Sequence, residues 1–418
     1  MSLGGKMKNK IKILLVILFI FAIATGDEQI LPAKRELSDL EITRVLGLDE
    51  MPESNNIVLS VLRDSANAVG GSGENGTEQG SKQDDQEELI SVTAPSFNTG
   101  VSILQNYTDK QFLGGHVKFA LIGESMAKNQ LKRAIDFLGR DNEIRLRTNF
   151  YIVKGMEAKD FLKEAGGDKY LISEKLNNIG GENNDLATTF EVTLTDVMKL
   201  IVEDESSGVI PVVKIINSGQ PFYRDYTIES SHKTGEDYDF VIDGYAIIKN
   251  SKLVGYLDLG TARGYNYLEN KLKEGMVEVE VEPDVEKVVL SINNMSTRTN
   301  FDYEGEELKT VNFDIEVNSD MIEVNSDKSI LSEEMIAILE NKQSEVMEGE
   351  INGMLKITQE LNTDILDIAQ KVKLSHPYRW QKIQDKWNEI YPNLQFNVNV
   401  QAEIQRTYDI IESRGGDR

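Results

Sequence analysis

The chain has 418 residues, a formal net charge of −25 and 40% hydrophobic residues. This suffices for two or three domains with sizeable cores. The acidity argues against nucleic acid as a partner, because that binding neutralises phosphates with Lys and Arg, and against a basic face on an anionic bilayer. The absence of cysteine removes disulfides, thiolate metal sites and cysteine nucleophiles.

Lys6, Lys8, Lys10 and Lys12 precede an apolar run from Ile13 to Ala24. That run is shorter than the roughly 20 residues a membrane span needs, and it fits the core of a signal peptide. Residues 1–24 are therefore expected to direct export. Ala22-Ile23-Ala24 satisfies a small-x-small cleavage rule, and an uncleaved segment would instead stay as a short anchor.

Residues 25–204 are expected to form an N-terminal domain. Leu37, Leu40 and Val45 would cover one face of a short helix. Ile57 to Arg63 reads as a strand, and Leu89 to Val92 as its return. Residues 70–88 are Gly, Ser, Asn, Gln and acid throughout, which predicts a mobile loop. Ser96-Phe97-Asn98 leads into a helix from Thr99 with Val101, Ile103 and Leu104 inward. Val117 to Ile122 is an apolar strand between glycines. Gly123 then opens a helix, with Glu124 suited to its first turn. Ala127, Leu131, Ala134, Ile135 and Leu138 line one face of that helix, and Gly139 can stop it. Phe150 to Val153 completes a strand–helix–strand unit. Further helices are expected from Gly155 and from Thr189 to Val202. Glu203 to Gly208 breaks the pattern and marks the boundary to a second domain, residues 205–415.

Pro211 makes Ile210 to Ile216 an edge-type strand, since proline cannot donate to a ladder. Phe240–Ile248 and Lys252–Leu257 form a hairpin about Asn250-Ser251. Met276 to Val281, Val285 to Ile292 and Leu308 to Val317 extend a sheet, with a further division near residue 305 left open. Ser332 caps a long helical region whose apolar face includes Leu339, Met347, Ile351 and Leu355. Gly349 and Gly353 weaken it by about 1 kcal/mol each, which predicts a bend or a break. After Pro377, which excludes a continuous helix, a second helix carries Trp380, Ile383, Trp387 and Ile390. Leu394 to Ile404 alternates as a closing strand. The fold class is α+β and multi-domain, with mixed or antiparallel sheets against helices and a long C-terminal helical region before the last strand.

Several runs resemble one family, the Ger(x)C proteins, which are the C subunits of bacterial spore germinant receptors. His116, Gly123, Ala127, Lys128, Arg140 and Asp141 stand in the matching places of its N-terminal core. Gly244 to Lys249, Lys252 to Gly255 and Arg263-Gly264 follow, with tyrosine in the usual tryptophan place. The ending matches most strongly, through Leu331 to Glu334, Glu360-Leu361-Asn362, Asp364-Ile365-Leu366, Pro377, Trp380, Trp387 to Asn393 and Arg406-Thr407. The family usually carries an acylated cysteine after its leader. Asp27 occupies that position here, so no lipidation is carried over. The resemblance implies an exported subunit on the outer face of the spore inner membrane. It would assemble with two integral membrane partners, the A and B subunits. The complex senses small nutrient germinants, and whether this subunit touches them is left open.

On the residues alone, no Gly-x-Gly-x-x-Gly, phosphate loop, His-Glu-x-x-His or Gly-x-Ser-x-Gly pattern is present. His116, His232 and His376 are far apart. Neither a metal site, a cofactor nor a catalytic residue is expected. His116 reads as a satisfied structural histidine, and Arg140 with Asp141 as an ion pair or loop clamp. Trp380 and Trp387 lie seven residues apart on one helix face. They read as core packing, with an aromatic ligand box as the alternative. Two other functions fit the chain. One is a stand-alone extracytoplasmic solute-binding protein with a pocket between lobes. The other is an exported hydrolase with two acids converging in a cleft.

Overall fold

The computed structural model describes residues 40–407, apart from 65–86, 109–110, 166–171, 181–188, 203–205, 218, 224–225, 228–237, 273, 281–286 and 326–332. The expected leader 1–24, Asp27, Ser332 and most of the loop at 70–88 lie outside the described residues.

The chain begins with β1 (Leu40–Met51), β2 (Asn56–Asp64) and β3 (Glu87–Ala94). Thus Leu40 to Leu46 is strand and not helix. Its Val45 faces one core while Leu46 and Leu48 face another, the signature of a strand buried on both sides. Glu87 and Glu88, expected in the loop, already pair with Asp64 and Arg63. Helix α1 (Phe97–Tyr107) is capped by Ser96, whose hydroxyl accepts the Thr99 N–H. It buries Phe97, Gly100 and Leu104 and leaves Ile103 exposed, one step round from the expected face.

β4 (Gln111–Leu113) runs beside β1, and β5 (Phe119–Ile122) follows. The helix after Gly123 is two helices, α2 (Glu124–Asn129) and α3 (Leu131–Arg140), broken at Gln130. β6 (Asn149–Val153), α4 (Ala158–Ala165), α5 (Ile172–Gly180) and α6 (Leu194–Val202) complete this region.

β7 (Ser207–Asn217) comes next, then the small pair β8 (Pro221–Tyr223) and β9 (Tyr226–Thr227). β10 (Tyr238–Lys249) and β11 (Lys252–Leu257) form the expected hairpin. Asn250 and Ser251 both take positive φ, 51° and 58°, as a type I′ turn requires. The nine-stranded sheet has the order β11-β10-β7-β6-β5-β1-β2-β3, with β4 beside β1. β1, β5, β6 and β7 run parallel and the outer strands antiparallel. β7 is therefore interior, not an edge. It tolerates Pro211 because the ladder to β10 shifts register between Ile242 and Tyr245, where Gly244 takes φ +76°. The boundary expected at residue 204 does not coincide with a change of sheet, since β7, β10 and β11 follow it and belong here.

Helix α7 (Leu259–Leu268) leads to a second sheet of β12 (Gly275–Glu280), β13 (Lys287–Glu304), β14 (Glu307–Asn325) and a last strand, in that order. Residue 305 is the turn of the β13–β14 hairpin, with Gly305 at φ +64°. Helix α8 (Glu333–Glu360) is one continuous 28-residue element. Gly349 faces open space and Gly353 lies against Thr261, so neither breaks it. Then come α9 (Ile368–Ser375), α10 (Pro377–Ile383), a 3-10 turn at Gln384–Lys386 and α11 (Trp387–Ile390). β15 (Gln395–Thr407) closes the sheet parallel to β14. Glu348 and Glu340 of α8 accept the Val400 and Ile404 N–H groups at 3.1 and 2.9 Å, which occupies part of this edge strand.

Candidate functional site

A cleft of about 730 Å³ lies between the two sheet units. That is within the range of small-molecule sites, roughly 300–1,000 Å³. One wall comes from Phe190 to Val192, α6, the start of β7 and Tyr245. The other comes from Asn362 to Asp367, α9, and the Trp380, Trp387 and Tyr391 side chains. The walls are stitched at the cleft. Lys249 Nζ donates to the Asn362 carbonyl at 2.5 Å, and Ser207 Oγ to the Asp364 carbonyl at 3.2 Å. The Tyr245 hydroxyl accepts the Phe190 N–H at 2.6 Å and donates to Asn266 Oδ1 at 2.9 Å.

Asp364 is the acid nearest to a chemical role, and its oxygens are already used. They accept the Ile368 and Ala369 N–H groups at 2.9 and 2.8 Å, which caps α9. Burial pushes its carboxyl up to about 6, against the pull of those two bonds. Asp196 pairs with Lys199 at 3.2 Å. Trp380 and Trp387 meet edge to face at 5.5 Å, and Trp387 leans on Tyr391 at 6.0 Å. Tyr391 is fixed in turn by donating to Thr358 Oγ1 at 3.0 Å.

A second polar cluster sits at the C-terminal ends of β1 and β5, where strand order reverses. Open α/β sheets bind ligands at such points. Here the chain fills the crevice itself. A Cβ at residue 123 would overlap the carboxylates of Asp49 and Glu157, so glycine is required. Asp49 accepts the Ala158 and Lys159 N–H groups at 2.6 and 2.9 Å, and Ser125 donates to Glu157. Burial is the main reason the Asp49 carboxyl is pushed up to about 7, with Glu157 adding to it. Nearby, Lys128 pairs with Glu124 at 2.5 Å and Lys154 with Asp243 at 2.6 Å.

The motif residues are thus dispersed. His116 is exposed in the 3-10 turn Gly114–His116 rather than held in a core. Arg140 pairs with Asp136 at 2.8 Å and Asp141 accepts the Glu143 N–H, so these two do not clamp each other. Arg263 is buried, 3.3 Å from Glu350, with its guanidinium donating to the Tyr267 hydroxyl. Gly264 beside it lets α7 approach the α8 backbone at Glu350. Of His116, Gly123, Lys128, Arg140, Asp141, Arg263, Trp380 and Trp387, only the two tryptophans reach the cleft. Asn362 and Asp364 also line it, and their one sequence signal was membership of the strong C-terminal run. Among the described residues, no three His, Asp or Glu side chains cluster as metal ligands. No described helix is long and apolar enough to cross a membrane.

The architecture is an α+β protein built from a nine-stranded mixed sheet and a four-stranded sheet under a long helix. Two family models match it. The spore germination protein N-terminal domain covers residues 33–215, and the spore germination B3/GerAC-like C-terminal domain covers 243–408. The chain therefore belongs to the Ger(x)C family of germinant-receptor C subunits. Spore germination protein KC of Bacillus subtilis is 21% identical over 386 residues, 90% of this chain and 91% of that protein. Spore germination protein B3 of the same organism is 23% identical over 336 residues, 76% and 80% of the two chains. The crystal structure of the GerBC protein aligns with a TM-score of 0.52 at 18% identity, over 86% of this chain and 97% of that one.

Proposed function

We propose that this chain is the non-catalytic, extracytoplasmic C subunit of a spore germinant receptor. It holds or relays between the integral membrane A and B subunits and makes or breaks no bond itself. Its place is the outer face of the spore inner membrane. The observation that carries this reading is that both family domains run in order across nearly all of the described fold. The acid geometry supports the non-catalytic part, since Asp49 and Asp364 are spent on backbone N–H groups.

Deleting the gene should leave spores dormant toward a nutrient germinant, and a tagged copy should co-purify with integral membrane subunits from spore membranes. Normal germination of the deleted spores, or recovery without membrane partners, sinks it. The cleft between the units is what a solute-binding protein would also need. Recovery as a single exported polypeptide would favour that second reading.

A further inference from the structure

Two features coincide at the corner where α9 meets α10. Leu374 and Tyr378 are 73% and 82% exposed, one on each side of Pro377. Residues 368–384 contain no Asp or Glu but hold Lys371, Lys373, Arg379 and Lys382, in a chain whose acids outnumber its bases 70 to 45. The net charge describes the average surface, and this corner is not average.

The corner is also backed. His376 meets Tyr303 and Phe301 edge to face at 5.2 and 6.1 Å, and the Arg379 guanidinium lies over Tyr303 at 4.0 Å. The acids that approach it are largely engaged. Glu269 takes Lys371 at 3.1 Å, Glu306 takes Lys382, and Glu307 takes Lys309. Glu304 stands at the same hairpin turn, and Asp385 and Glu389 follow in the next helix turns. Among the described residues, no ion pair engages Lys373 or Arg379, and these two flank the apolar tips.

We propose that this corner is a lipid-contacting tip, with Leu374 and Tyr378 entering the headgroup region of an anionic bilayer and Lys373 and Arg379 meeting lipid phosphates. It deepens the functional reading by naming the surface that would meet the membrane. Size selects lipid over protein. Two protruding side chains offer a few hundred Å² at most, well short of the roughly 800 Å² per partner of a stable protein interface. An apolar tip, a tyrosine at headgroup depth and flanking cations are what an interface-seeking surface needs. Two cations and two side chains give weak attachment alone, which suits a subunit also held by neighbours.

The cysteine-free sequence permits a direct test. In the full chain, Ser375→Cys carries an environment-sensitive fluorophore at the corner, and Ser102→Cys carries it on α1. With vesicles containing anionic phosphatidylglycerol, emission at 375 should rise at least twofold and shift to the blue. It should stay unchanged with pure phosphatidylcholine, and the label at 102 should stay unchanged with both. Leu374→Ser with Tyr378→Ser should abolish the change at 375. Each charge lost in Lys373→Gln or Arg379→Gln should weaken the apparent affinity about fivefold. A label at 375 that stays in water while the chain sediments with anionic vesicles overturns the inference. An equal response to neutral vesicles does so as well, as does a response seen only with membrane protein partners. Co-purification with membrane subunits while the label stays silent would leave the functional reading standing.

Discussion

Asp49 is a carboxyl that folding keeps protonated. Its ordinary value is 3.8 and burial pushes it up to about 7. From about pH 4 to pH 7 the unfolded chain therefore gives up a proton that the folded chain holds. Folding stability falls as pH rises through that window and is lowest above it. Asp364, pushed up to about 6, acts with the same sign. Asp49→Asn cannot ionise and keeps one acceptor for the Ala158 N–H, while the Lys159 N–H loses its partner at a cost of about 1 kcal/mol. The variant should thus be slightly less stable than the parent near pH 4. By pH 8 it should gain ground, because a cost on the order of a few kcal/mol is removed. Thermal unfolding followed at pH 4.5, 6 and 8 checks this. A parent protein whose melting temperature does not decline across that series rules the burial argument out.

At the scale of elements, two glycines on crossing helices should behave in opposite ways. Gly349 sits in the interior of α8 with nothing near the position a Cβ would take, so Gly349→Ala should stabilise the protein by about 0.5–1 kcal/mol. Gly264 on α7 touches the α8 backbone at Glu350 and Ile351, so Gly264→Ala must push two helices apart and should cost about 1–3 kcal/mol. Denaturant unfolding of the pair reads both signs, and equal signs would contradict the close crossing. The same contrast shows what a sequence can and cannot reveal. The β10–β11 hairpin and the alternation of β15 are local patterns, and they were legible. The single helix expected to carry Trp380 and Trp387 on one face is instead two, α10 and α11, parted by a 3-10 turn, and the rings meet across that break. Gly349 and Gly353 looked like breaks because propensity was weighed alone, whereas packing of Met347, Ile351, Met354 and Leu355 carries α8 through. Pro211 looked like an edge because the bulge that absorbs it lies on β10, more than 30 residues later. The cleft was invisible for a similar reason. Its two walls are stitched by pairs such as Ser207 with Asp364 and Lys249 with Asn362, separated by 157 and 113 positions.

At the scale of the whole molecule, β7, β10 and β11 decide how far the two units can be separated. Each of these strands has two buried faces. Ile210, Val212, Ala246, Ile248 and Leu253 enter the core beneath α1, α3 and α6. Val209, Tyr245, Ile247 and Leu257 enter the core of α7, α8 and the second sheet. These strands are therefore shared walls, and a displacement of the C-terminal helices is felt by the large sheet without passing through a flexible joint. A chain ended at residue 204 tests this. It would lose the partners of Ile152 and Val153 on β6, and five residues from the first core. At about 1.5–3 kcal/mol for each large buried side chain, that loss matches the 5–15 kcal/mol that typically holds a whole domain together. The fragment should show no cooperative melting and should aggregate, while the intact chain melts cooperatively. A 204-residue fragment with dispersed amide signals and a sharp transition would mean that the strands after it only decorate a self-sufficient domain. In that case a rigid relay between the two sheets would have no physical basis.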